Sequence, residues 1–463
     1  MRSRYIGDKA FYKRVITIVI PIIIQNGITN FVSLLDNIMV GQVGTLPMSG
    51  VSIVNQLLFV FNLCIFGATA GAGIFTAQFQ GSGDTDGIRS TFRFKFLICV
   101  GLALVGGVLF AVADTPLISL FLKGDGDPAD AAAILDYGRA YLKMMLPGLL
   151  PFAITNAYAG TLKETGETVV PMLGGVAATL VNLVLNYILI FGNFGAPEMG
   201  VEGAALATVI SRFAELAIVA GWTHRHARRN PFIVGAYRSM AIPAGLLRSI
   251  TVKGMPLLAN ELLWSTGMTF LNQCYSTCGL DVVPALNISS TLFNLTSVVF
   301  MSMGVADGIL MGQMLGASAP EAEVRDHSRK LVAISVTSGV LFGLLTAALS
   351  GAFPHIYNTS HEVRVLATRL ILIAALFMPF DALANAAYFM LRSGGQTYIT
   401  FLFDSGFVWA VMVPLAFVLS RFAHMSILPL YLICQSTNML KGGLGVFFLK
   451  QGKWIQNLAI ETE

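Results

Sequence analysis

Apolar residues are gathered along this chain into long blocks, separated by short breaks that are charged or rich in Gly and Pro. A helix needs roughly 20 mostly apolar residues to cross a bilayer, and lipid offers no partner to an exposed peptide group, so such a segment must satisfy its own backbone. Read this way, the first half predicts spans near 15–40, 50–76, 96–116, 141–162, 170–191 and 203–222, and the second half spans near 254–276, 284–311, 331–353, 367–391, 399–420 and 426–448. The pattern predicts an all-α polytopic membrane protein of about twelve transmembrane helices.

Composition agrees with the pattern. Of 463 residues 55% are hydrophobic and 12% charged, against roughly 25% charged in a soluble domain. Met1–Arg14 is basic, but the apolar stretch after it is too long for a signal-peptide core and has no small-residue cleavage pattern, so it is expected to remain as the first helix. The cysteines, Cys64, Cys99, Cys274, Cys278 and Cys434, make no metal-like cluster with histidine and read as apolar packing residues.

Basic residues fix the expected orientation. With both termini in the cytoplasm, inward segments carry 21 Lys and Arg and outward loops 6, with Arg212 and Lys441 inside spans. That is the positive-inside bias of a multi-pass inner-membrane protein with an even number of helices. The net charge of +4 is then a topological bias, with no implication of nucleic-acid binding. The bilayer is the expected partner and the expected state is a monomer. The HRHARR run at 224–229 reads as part of a cytoplasmic linker.

The halves repeat. At a separation of 235 residues Pro21 meets Pro256, Asn37 meets Asn272, Gly44 meets Gly279, Ile53 meets Ile288 and Leu57 meets Leu292, and GIFTAQFQG (73–81) aligns with GILMGQMLG (308–316). At a separation of 229, NAYAGTLKETGET (156–168) aligns with NAAYFMLRSGGQT (385–397). The expected organisation is a six-helix bundle over 1–222, a cytoplasmic linker over 223–253 and a second six-helix bundle over 254–463. With six helices per half, both halves enter the membrane the same way. A pseudo-twofold axis along the membrane normal follows, as in transporters whose bundles rock about a central site.

With these features the sequence resembles the multidrug and toxic compound extrusion (MATE) family of secondary transporters, part of a wider flippase superfamily. The resemblance rests on Pro21 followed by Asp36–Gly41 (DNIMVG), the G-x-x-x-x-Q-x-x-G pattern in both halves, and Leu-Lys/Arg-x-x-Gly after spans 4 and 10. It rests also on Asn182 and Asn186, GAALAT at 203–208, and GKW at 452–454. It implies export of cationic or amphipathic compounds in exchange for Na⁺ or H⁺, with no cofactor beyond the coupling ion. It places Asp36 at the cation-coupled carboxylate, with Asn182, Asn186 and Thr208 as neutral oxygen partners able to share a proton or Na⁺ site. It also points to Asp381 and Glu261 as a substrate or second cation site, although the glutamate of that branch is expected one turn later, where Trp264 stands.

A charged group at the bilayer centre costs about 2.5–3.5 kcal/mol on insertion scales, so intramembrane acids are functional candidates. Those singled out within spans are Asp36, Glu215, Glu261, Asp307, Asp381 and Asp404. Asp307 and Asp404 read as solvated or capping, near span ends. Glu215 follows Arg212 at a spacing suited to an ion pair, and Lys441 reads either as a partner of one of the acids or as a snorkelling lysine. The repeat partners of Asp36, Glu261 and Asp381 are Leu271, Asn26 and Phe152, so the scaffold is duplicated and the acids are not. The expected activity is antiport of cationic drugs or dyes against Na⁺ or H⁺, and the chain is not expected to be an enzyme. A lipid-linked saccharide flippase would call for a basic cavity, and a membrane receptor or enzyme is the alternative of another class; no H-E-x-x-H or Walker A pattern is present.

Overall fold

The computed structural model describes residues 5–122 and 127–460, except for the side chains of Leu34 and Asn37. The chain forms α1 (Lys9–Val43), α2 (Thr45–Ser82), α3 (Thr85–Val112), α4 (Pro128–Met145 and Leu149–Glu164, joined by a 3-10 turn), α5 (Val169–Phe191) and α6 (Gly200–Arg225). It continues through α7 (Ala244–Ser276), α8 (Val282–Gly316), α9 (Glu321–Leu349), α10 (His361–Ser393), α11 (Thr397–Arg421) and α12 (Ile427–Gln451). No strand occurs among the described residues. Nine of these helices are long and apolar enough to cross a membrane; α4, α7 and α12 are of similar length and more polar. The outward faces are apolar, as lipid requires: Leu104, Val105, Val108 and Leu109 of α3 are all more than half exposed.

The helices outrun the apolar blocks. α4 starts at Pro128, well before the expected 141, because its first turns carry Asp130, Asp136, Arg139 and Lys143 and show no apolar run. Its start is set by local chemistry. The Asp127 carboxylate accepts from the Ala129 amide at 2.9 Å, and Pro128 occupies the first turn, where its missing N–H costs nothing.

The helices pack as two compact units, which interleave along the sequence. One, here the amino-side unit, comprises Ile24–Thr76 and Thr85–Leu247; the other, the carboxy-side unit, comprises Met1–Ile23, Ala77–Asp84 and Arg248–Glu463. α1 is thus divided just after Pro21 and α2 just before Ala77.

The duplication extends to backbone conformation. Gly44, between α1 and α2, has φ +145°, and its repeat partner Gly279, between α7 and α8, has φ +152°. Gly166 after α4 and Gly395 after α10 also share positive φ, at +94° and +75°. These turns need left-handed backbone that a Cβ disfavours, which is why glycine stands at both members of each pair.

Within the carboxy-side unit the end of α2 crosses the end of α8 through the repeated motif. A Cβ on Gly81 would lie 1.9 Å from the Gln313 carbonyl oxygen, and one on Gly316 would lie 1.8 Å from the Gln78 carbonyl oxygen. Each glycine makes the hollow that the other copy's backbone fills, so the helices meet at backbone distance. The glutamines then fasten the crossing. Gln78 donates to Ser393 O at 2.9 Å and accepts from the Leu458 amide at 2.6 Å, while Gln313 accepts from Arg14 at 3.0 Å. Val15, Ile18, Val19 and Ile22 of α1 are buried against α8 and α9 in this unit.

The core of the amino-side unit gathers Val54, Leu58, Ile65, Cys99, Leu142, Leu149, Ala153 and Ala205. On its surface the segment after α6 is strapped to the start of α3. Arg93 donates to the carbonyls of Ala236, Gly235 and Ala241 at 2.8, 3.0 and 3.3 Å, and Arg89 donates to Phe232 O at 3.2 Å. Phe232 is buried beside Phe92. Arg93→Ala should release this strap, and limited trypsinolysis at Arg225, Arg228, Arg229 and Arg238 should become several-fold faster than in wild type. Unchanged cleavage would mean that Phe232 alone holds it.

Candidate functional site

Asp36 lies four turns beyond Pro21 on α1, half-buried within the amino-side unit. Asn186 of α5 donates to Asp36 Oδ1 at 2.7 Å. One end of the Asn182 amide sits 3.0 and 2.9 Å from the two carboxylate oxygens, and the other end 3.1 Å from Thr208 Oγ1 on α6. Asn182 and Asn186 are one helical turn apart and both buried, so α5 presents two amides on the face that meets Asp36. All four residues named from the sequence therefore meet. Among the described residues Asp36 forms no ion pair, and Asn186 Oδ1 is buried without a hydrogen-bond partner.

This arrangement has two hydrogen-bond states. A charged Asp36 favours the Asn182 NH₂ turned toward it, with the Asn182 oxygen accepting from Thr208. The reverse orientation puts an amide oxygen against carboxyl oxygens, which is favourable only with a proton or a cation between them. In that state the Asn182 NH₂ donates to Thr208, whose own proton goes to Ala204 O at 3.0 Å. Amide orientation is thus tied to what Asp36 carries. The spare Asn186 oxygen and the Asn182 oxygen supply neutral donors of the kind Na⁺ takes; a proton needs only one of them.

The second set named from the sequence lies in the carboxy-side unit. Asp381 of α10 is hydrogen-bonded by Asn438 and faces Lys441, both on α12. Glu261 of α7 faces Arg392 and Asp404. Glu261 and Asp381 thus have different charged neighbours; each borders a centre that the sequence reading did not assign. There Lys441 Nζ pairs with Asp404 Oδ1 at 2.5 Å, and Asn260 of α7 donates to Asp404 Oδ2 at 2.9 Å. Asn260, 2% exposed, is itself pinned, its Oδ1 accepting from Ser405 Oγ at 2.7 Å and from the Ser405 amide at 3.2 Å. Asp404 stands in a stretch where α11 widens into π-helical turns, Leu402–Gly406 and Val408–Met412, a distortion frequent at functional sites.

Two expectations are corrected here. Asp404 is neither freely solvated nor capping, because Lys441 pairs with it and Asn260 donates to it, leaving only a small part of its side chain exposed. Asp307 is wholly buried on α8, with its Oδ2 accepting from Ser335 of α9 at 3.0 Å, because α8 runs on to Gly316 and α9 closes over it. Arg212 donates to Gly148 O at 3.2 Å and lies 4.8 Å from the Phe152 ring centre, with Glu215 interacting at longer range. Two charges of opposite sign within spans, Asp404 and Lys441, were the available signal for the missed centre; Asn260 gave none.

A family model described as MatE matches residues 21–188 and 256–418, beginning each time at a repeat-related proline. The chain belongs to the MATE family. This MATE chain is 25% identical to a probable multidrug resistance protein NorM of Thermotoga maritima, over 97% of the chain and 95% of that protein. It is 26% identical to the multidrug resistance protein MdtK of Edwardsiella ictaluri, over 88% and 87%. The MATE transporter VcmN of Vibrio cholerae in its bent form superposes with a TM-score of 0.84 at 18% identity, covering 97% of this chain and 98% of that one. The fold is therefore the twelve-helix, two-bundle fold of MATE transporters.

Proposed function

We propose that this MATE protein exports organic cations across the inner membrane, with both termini in the cytoplasm, in exchange for H⁺ or Na⁺ taken up at Asp36. The observation that carries the reading is an intramembrane carboxylate enclosed by Asn182, Asn186 and Thr208 with no ion pair among the described residues. Such a group is costly to bury charged, so a coupling ion that neutralises it gains a large differential free energy. The names of the NorM and MdtK relatives support multidrug compounds as cargo. Glu261 and Asp381 provide negative charge for a cationic cargo in the carboxy-side unit. Coupling then requires that ion and cargo weaken each other's binding by the same factor.

Ethidium efflux from proteoliposomes tests this. An imposed inward pH gradient or an imposed inward Na⁺ gradient should drive efflux, and whichever one does identifies the coupling ion. Efflux that responds to neither gradient would refute antiport.

A further inference from the structure

The carboxy-side unit contains a cation that belongs to the chain. We propose that the Lys441 ammonium is a tethered counter-cation occupying a binding site for monovalent organic cations, and that cargo enters by displacing it from Asp404. The proposal rests on the export reading above.

The surroundings of Lys441 Nζ are those of a cation site. Asp404 contacts it at 2.5 Å, Asp381 faces it, and the Phe403 ring centre lies 5.7 Å away. Two acids and an aromatic ring from two helices, α10 and α11, are what a desolvated ammonium needs. The acid is also held in position from behind. Asn260 binds both Asp404 and the Ser405 backbone, fixing the widened π turn that presents Asp404 to Lys441. The pair is not sealed: the side chains of Lys441 and Asp404 remain 15% and 17% exposed, which leaves an approach for a competitor.

The repeat offers an internal control. At the 229-residue separation Lys441 falls on Arg212, Asp381 on Phe152 and Asp404 on Gly175. Both halves thus keep a basic residue on the last helix. In the amino-side unit that cation rests on Phe152 and the Gly148 carbonyl, whereas in the carboxy-side unit Asp381 stands in place of that ring and Asp404 in place of Gly175. Arrangement of the acids around a retained cation, rather than addition of a lysine to balance existing acids, is the pattern the two halves present. It yields a site whose negative charge is partly offset when empty and which must release its own cation to accept another. The Asp36 site has no such resident charge among the described residues, so the inorganic ion is taken there and the organic cation here.

The test is equilibrium binding of tetraphenylphosphonium to the purified full chain. Lys441→Met should tighten binding by about tenfold or more, because a like charge has been removed from the site. Lys441→Arg should behave as wild type, and Lys441→Met with Asp404→Asn should lose the gain. Asp404→Asn alone should weaken binding by a similar factor, since Lys441 then faces the ligand unneutralised. Affinity unchanged in Lys441→Met, or a gain that survives in the double variant, overturns the proposal. Should Lys441→Met fail to fold, Asp404→Asn decides: unchanged affinity overturns it and weakened affinity supports it. Absence of binding in every variant overturns both this proposal and the export reading, whereas gradient-driven ethidium efflux with no effect at Lys441 overturns this one alone.

Discussion

Asp36→Asn lowers gradient-driven ethidium efflux from proteoliposomes by at least about tenfold, to the leak level, and leaves the melting midpoint close to wild type. The reasoning is geometric. An asparagine keeps the size and planarity of the carboxylate and still bonds Asn186 and Asn182, so the packing of α1 against α5 survives. What is lost is the ability to alternate between charged and neutralised states, and with it the tie between the Asn182 orientation and the transport cycle. Thr208→Val, which removes only the far end of the relay, should give an intermediate rate. The decisive comparison measures efflux and thermal midpoint on the same preparations. Full coupling in Asp36→Asn, with either ion, would remove Asp36 from the mechanism.

The largest loss of stability is expected at the crossing of α2 and α8. Gly316→Val places a Cβ within 2 Å of the Gln78 carbonyl oxygen, a contact no rotamer relieves because the obstacle is backbone. Helices forced apart there also lose the Gln78 bonds to Ser393 and Leu458. A cost of about 3 kcal/mol or more follows from overpacking together with orphaned buried polar groups. Scanning fluorimetry in detergent should show a clearly lowered midpoint. Gly443→Ala on α12, whose added Cβ meets nothing within 4 Å, should be neutral or slightly stabilising. Equal effects of the two substitutions would mean that the crossing is not tightly packed.

Helix number and type were legible in the sequence because a membrane leaves few alternatives to long apolar helices. The meeting of Asp36 with Asn182, Asn186 and Thr208 was legible through the family resemblance. Helical spacing puts the amides at 182 and 186 on one face but does not say which helix that face meets. The Asp404 centre was hidden by geometry. The π turns of α11 change which way residue 404 points, and no 3.6-residue pattern encodes that. Asp307 was misjudged because its distance from a span end was counted along an apolar block shorter than the real helix; α9 buries it through contacts that sequence spacing does not show. Division of α1 and α2 between the packed units likewise depends on tertiary contacts alone.

The paired hollows at Gly81 and Gly316 constrain how the two copies of the motif can change. Since each glycine accommodates the other copy's glutamine carbonyl, a substitution in either strains the same junction, and drift in one copy is felt at once by its twin. Asp36 carries no such mutual obligation: its counterpart, Leu271, is an apolar residue buried in the core of the other unit. A gene duplication under these rules keeps its joints identical and leaves its charges free to specialise.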